Sequence, residues 1–224
     1  MLSIIIPTLN EEKNIANIEN IAKQFYDSEV LLVDGGSKDN TIKNLRKSKF
    51  NLIESIPNRG KQLKTGAENS KGKWLFFLHA DSVINANNVE EIKKFINKNN
   101  QNNANVAYFK LGFIPKNNLS TLIAFWGNLR TRILRLPFGD QGLLIERENY
   151  FFIGLHNEIK IMEDIDLITR VPYKNRFLLK SYIITSFRKY KKYGTLKQGL
   201  KHIICQFLYF LGVNNKIIYK FYKN

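Results

Sequence analysis

Three short polar segments each close an apolar run, and their residue types suit a charged, oxygen-rich ligand. They are Pro7-Thr8-Leu9-Asn10-Glu11-Glu12, Asp34-Gly35-Gly36-Ser37-Lys38-Asp39-Asn40-Thr41 and His79-Ala80-Asp81-Ser82. Carboxylates at such strand ends suit the donor groups of a base or a ribose. Asp81 is a hard oxygen ligand suited to Mg2+ or Mn2+, ions that keep waters and share substrate phosphates. His79 lies two residues earlier, on the same side of an extended chain. It reads either as a second ligand or phosphate contact, or as an outward hydrogen-bonding histidine. Taken singly, the segments have plainer readings. Asp-Gly-Gly-Ser is also a turn whose glycines suit positive φ, and Asp39 is also a helix N-cap. Neither a Gly-x-Gly-x-x-Gly after the first apolar run nor a Walker lysine motif is present, so dinucleotide and P-loop sites lose support.

The elements that must carry these segments alternate. Apolar runs at 2–6, 29–33, 51–55, 74–78 and 106–111 read as strands, with helical spacing over 11–26, 38–47, 60–70 and 88–98 between them. Asn10 is the expected cap of the first helix. Such repetition with near-continuous apolar strands indicates an α/β fold, a mainly parallel sheet covered by helices on both faces. In open sheets of this kind ligands bind beyond the carboxyl ends of the strands, which is where the three segments fall. After Lys110 the pattern loosens into an amphipathic helix at 119–136, a turn and short strand at 138–147, and a short helix at 163–170.

Composition sets the outer bounds. The chain has 224 residues, 44% hydrophobic and 24% charged, enough for one domain with a sizeable core. No apolar run reaches the ~18 residues of a spanning helix. The start reads as a core strand rather than a signal peptide. The single cysteine, Cys205, is expected to be a buried apolar residue in a reducing compartment, so a cytoplasmic location is expected. Of the +16 net charge, the 13 Lys and Arg beyond Asp166 face no acidic residue in sequence, leaving +3 to residues 1–166. A basic end of this kind suits phosphates, an anionic membrane surface or nucleic acid, or is simply a solvated face. From Thr195 an apolar stripe with basic neighbours reads as a helix packed on the domain, or as one lying in a membrane interface.

The three segments together resemble family 2 glycosyltransferases of the GT-A fold. More narrowly, Asn58-Arg59-Gly60-Lys61-Gln62-Leu63, Phe138-Gly139-Asp140-Gln141-Gly142 and Ile161-Met162-Glu163-Asp164-Ile165-Asp166-Leu167 resemble the bacterial branch of radical-SAM/selenodomain-associated transferases linked to arsenosugar biosynthesis. The match runs from residue 2 to about residue 194. It implies a GT-A domain at 1–194 with a basic amphipathic C-terminal helix, 195–224, packed on or appended to it. The resemblance puts Thr8, Glu11 and Asp34 at the nucleoside, Arg59 near the base and phosphates, and Asp81 at the last carboxylate of the metal motif, with His79 where the first Asp stands. Asp164 matches the base that deprotonates the acceptor hydroxyl, with Glu163 beside it. For Glu163, Asp164 and Asp166, a plain acidic first turn favoured by the helix dipole is the alternative. Asp140 and Gln141 are expected at the sugar or acceptor, and Arg188 at the leaving phosphates.

The activity implied is an inverting, metal-dependent, hexosyltransferase-like reaction from a nucleotide sugar to a hydroxyl of a small-molecule or lipid-linked acceptor, with Mg2+ or Mn2+. Two rivals are weaker. A sugar-phosphate nucleotidyltransferase would bring a glycine-rich basic loop near the first strand, unlike Pro7–Glu11. A non-catalytic basic module for RNA or anionic lipid has the charge but lacks stacking aromatics in a repeated strand motif, so no nucleic acid is expected.

Overall fold

The computed structural model describes residues 1–48, 50–99, 104–187 and 194–223. Its strands are β1 (Leu2–Thr8), β2 (Glu29–Asp34), β3 (Asn51–Glu54), β4 (Trp74–Phe77), β5 (Val106–Ile114), β6 (Leu143–Glu146) and β7 (Arg176–Ser186). They form one sheet in the order β3-β2-β1-β4-β6-β5-β7. Its four parallel pairings, β3 with β2, β2 with β1, β1 with β4 and β5 with β7, are interrupted only where β6 runs antiparallel to both β4 and β5. The helices are α1 (Ile15–Gln24), α2 (Thr41–Lys47), α3 (Arg59–Glu68), α4 (Ala86–Lys98), α5 (Asn118–Leu134), α6 (Arg147–Phe152), α7 (Glu163–Thr169), α8 (Thr195–Phe210) and α9 (Asn215–Lys223).

The strand pleat divides the core in two. Ile4, Ile6, Leu32, Phe76 and Leu144 face one side and pack with Ile18 and Ile21 of α1 and Ile92 of α4. Ile5, Val33, Leu75, Phe77 and Ile145 face the other, against α3, α6, α7 and the C-terminal helices, which contribute Cys205 and Ile218. Both faces of the central strands are therefore dry, which is why their sequences are apolar without alternation. Each such side chain is worth about 1.5–3 kcal/mol on burial. Asparagines start three helices. Asn58, Asn85 and Asn117 accept from the backbone N–H groups of Lys61, Asn88 and Ser120, filling donors that a first helical turn leaves open.

Two sequence expectations change and one strand is added. Asn10 does not cap α1; it takes a left-handed conformation with φ 57°, and a 3-10 turn at Glu12–Asn14 intervenes. Within the expected 195–224 element, residues 195–223 form two helices, broken around Gly212 at φ +74°. The strand β7 was not foreseen at all. Among the described strands it pairs with β5, with a register shift between Tyr108 and Lys110, and beyond that makes a single bridge to Val83; Lys180, Ser181 and Tyr182 break its apolar pattern. This strand still matters to the site. Val83, just past Asp81, donates its N–H to Ile184 O at 2.7 Å, while Asn17 Nδ2 donates to Ala80 O and Ser82 O, both at 2.8 Å. The Asp81 turn is thus clamped from two sides.

Candidate active site

The ends of β1 and β2 form one stitched unit. Asp34, fully buried, accepts at Oδ1 from the N–H groups of Gly36 (2.8 Å) and Ser37 (2.7 Å). Its Oδ2 accepts from the hydroxyls of Ser37 (2.6 Å) and Thr8 (3.0 Å). Between the loops, Asn10 N–H donates to Ser37 Oγ, Lys38 N–H to Asn10 Oδ1, and Glu11 N–H to Thr41 Oγ1. Asn10 therefore serves this loop pair rather than a helix end. Gln62 of α3 closes the unit, its Nε2 donating to Thr8 O (2.9 Å) and Val33 O (2.8 Å).

Three residues before Gln62, at the start of α3, Arg59 reaches across to the start of α7, its Nε 2.9 Å from Glu163 Oε1. The helix can approach that region because residue 60 is glycine: a Cβ there would fall 2.0 Å from Asn157 O. Asn58 Nδ2 donates to the adjacent Glu158 O. The decisive crowding is at Gly139. Its N–H donates to Asp164 Oδ2 at 2.7 Å. A Cβ on it would lie 2.7 Å from His79 Nε2, 2.8 Å from Asp164 Oδ2 and 3.0 Å from an Arg59 terminal nitrogen. Side chains from the end of β4, the start of α3 and the start of α7 thus meet at one backbone point. They line a single cleft with Phe77, Phe138 and His156.

Charge in this cleft is unbalanced. The carboxylates of Glu163, Asp164, Asp140 and Asp81 all act on Arg59. Burial pulls its guanidinium down, but they outweigh it and hold its pKa above the ordinary value. Burial, then the neighbouring Asp164, push Glu163 well above the carboxylate range against the pull of Arg59. Asp140 is pushed up to about 6 by burial, partly offset by Arg130 and reinforced by Asp164 and Asp81. An added cation would relieve this excess. Among the described residues no three His, Cys, Asp or Glu side chains form a closed metal site. Asp81, just past the end of β4, is close enough to act on both Arg59 and Asp140.

Of the other expected site residues, Gln141 is not among those lining the cleft. It is fully buried, accepting at Oε1 from Thr131 Oγ1 (3.0 Å) and donating from Nε2 to Phe109 O (2.8 Å), so it braces the Gly139 turn against α5 and β5. Asp166 is also structural. It accepts from Tyr209 OH (2.8 Å), Asn157 Nδ2 and Arg170. Arg188 lies outside the described residues. Sequence reading missed Arg130, whose guanidinium sits 3.7 Å from the Phe138 ring centre, and His202 of α8, which packs on Phe138 and stacks on Tyr222. It also missed His156, kept neutral by burial, which pulls it down to about 3, and bonded to Tyr150 OH at 2.8 Å. No motif marks these residues, because their role comes from tertiary contact.

The family model described as glycosyl transferase family 2 matches residues 3–149. The chain belongs to glycosyl transferase family 2. A family relative, the PGL/p-HBAD biosynthesis glycosyltransferase of Mycobacterium bovis, is 28% identical over 217 residues, covering 89% of this chain and 80% of that protein. The human dolichyl-phosphate beta-glucosyltransferase is 30% identical over 115 residues, 43% of this chain and only 36% of the human protein. Among solved structures, the mannosyltransferase PcManGT from Pyrobaculum calidifontis, in complex with GDP-Man and Mn2+, matches with a TM-score of 0.69 at 18% identity. That match covers 92% of this chain and 62% of that one. The shared architecture is the GT-A fold.

The raised Asp140 carboxyl gives a pH signature. Its ordinary value is 3.8, against about 6 in the folded chain, so as pH rises the unfolded chain releases this proton first. Its contribution to stability therefore falls between about pH 4 and 6 and is level above that. Urea unfolding at pH 4, 5, 6 and 7 should show this loss, at most roughly 3 kcal/mol, and Asp140→Asn should remove it. The same slope in both proteins would refute the assignment.

Proposed function

We propose that the chain transfers a sugar from a nucleoside-diphosphate sugar to an acceptor hydroxyl, inverting the anomeric carbon. The observation that carries this reading is the meeting of His79, Arg59 and Asp164 around Gly139, beside the Thr8–Asp34 unit. The Thr8, Glu11 and Asp34 loops bed the nucleoside. Asp34 already holds four donors, so a base N–H reaches it by turning the Ser37 hydroxyl away. Arg59, aimed into the cleft rather than toward those loops, lies against the diphosphate. Asp81 and His79 would hold Mg2+ or Mn2+, which when bound supplies positive charge for the leaving diphosphate. The PcManGT structure containing GDP-Man and Mn2+ supports both donor and ion.

A hydroxyl near neutral pH is a poor nucleophile and needs a positioned base. Asp164 takes the proton. The Gly139 N–H fixes one of its oxygens at 2.7 Å. Glu163, paired with Arg59, orients that start and the guanidinium together. Asp140 and Arg130, beyond Gly139, face the acceptor side, and a small-molecule or lipid-linked hydroxyl is the acceptor class.

Asp164→Asn should lower transfer by about 10²–10⁴-fold while nucleoside diphosphates still bind in calorimetry; normal turnover would remove Asp164 as the base. In a thermal-shift series, Mn2+ should enhance stabilisation by the matching nucleoside diphosphate. Asp81→Ala should abolish that enhancement, and an unaltered Mn2+ response would place the ion elsewhere.

A further inference from the structure

The helices that wall the acceptor side carry a second feature on their outer faces. On α5, Leu122, Trp126 and Ile133 lie on one stripe and are 45–59% exposed. On α8, Ile203, Phe207 and Phe210 form another, 53–63% exposed. The helices touch: a Cβ on Gly199 would lie 3.2 Å from Ile123 Cδ1, so the two rows flank one seam. Large apolar side chains in contiguous rows are unusual on a surface that faces only water. Neither helix contains an Asp or Glu, and Arg132 and Lys197 are exposed beside the rows. No helix among the described residues is long and apolar enough to cross a membrane.

We propose that the outer faces of α5 and α8 together form a docking surface for an anionic lipid bilayer. The helices lie in the plane of the interface, apolar rows inward and basic residues at the headgroups. Charge selects this occupant over a second copy of the chain, since two chains of +16 would meet basic edge to basic edge. The surface is continuous with the cleft. Thr131, on the inner side of α5, bonds Gln141, and His202 of α8 packs on Phe138. Docking would therefore bring the acceptor side to the headgroups. The inference does not rest on sugar transfer; vesicle binding and nucleotide binding are separate readouts.

The two tryptophans make the test direct. Trp74 is 1% exposed and Trp126 is 59% exposed, so only Trp126 can report a change of medium. The full chain is mixed with vesicles of phosphatidylcholine alone, or with a quarter phosphatidylglycerol, and followed by co-sedimentation and tryptophan emission. The expected result is association with the anionic vesicles and a shift of emission to shorter wavelength that Trp126→Phe removes. Phe207→Glu should weaken association by about tenfold or more without altering nucleoside diphosphate binding. Three results would overturn the proposal: no association, association with unchanged Trp126 emission, or a self-associated chain that Phe207→Glu disperses.

Discussion

The site depends on one close approach, at the backbone of Gly139. A turn without a side chain lets His79, Asp164 and Arg59 reach within hydrogen-bonding range of a single point, and its N–H fixes one carboxylate oxygen of Asp164. Each of those side chains starts from a different element, so the point is only as well defined as the core beneath it. The two dry faces of the sheet position the end of β4, Gly60 lets α3 approach, and Gln141 locks the turn to α5 and β5. Preorganisation of this kind is what a charge-transferring reaction requires, since misplacement by an ångström is costly.

Gathering these groups costs stability, and the raised Glu163 and Asp140 carboxyls report it. Arg59 offsets part of the repulsion; in the ion pair Glu163 is buried while the Arg59 side chain keeps 31% of its surface exposed. Such a pair contributes geometry more than net stability. The remaining excess of negative charge is what the proposed cation and diphosphate would have to balance together.

Much of the sheet was legible because buried parallel strands leave uninterrupted apolar runs, and Ile4–Ile6 and Leu75–Phe77 show this plainly. The strand-end carboxylates and the Glu163-Asp164 pair were legible as motifs. What sequence spacing could not convey is how polar groups divide between ligand and protein. Gln141 looks like a free amide beside a glycine turn, yet the fold spends it on Thr131 and Phe109. Asp166 looks like part of an acidic cluster, yet it anchors Tyr209. Asn10 looks like a cap, yet it joins two loops. β7 is hard to read because Lys180, Ser181 and Tyr182 interrupt it, so neither alternation nor a long apolar run announces it.

The role of the Gly139 approach is tested most directly by titrating a nucleoside diphosphate with Mn2+ into the native chain and into Gly139→Ala, with thermal unfolding of both. An alanine methyl would press on the ends of three side chains rather than on backbone, so the fold can absorb it by moving those side chains. The expected result is a melting temperature within a few degrees of native and an affinity reduced at least tenfold, ~1.4 kcal/mol. Native affinity in Gly139→Ala would contradict the account, because the three groups could then be displaced without cost to the ligand.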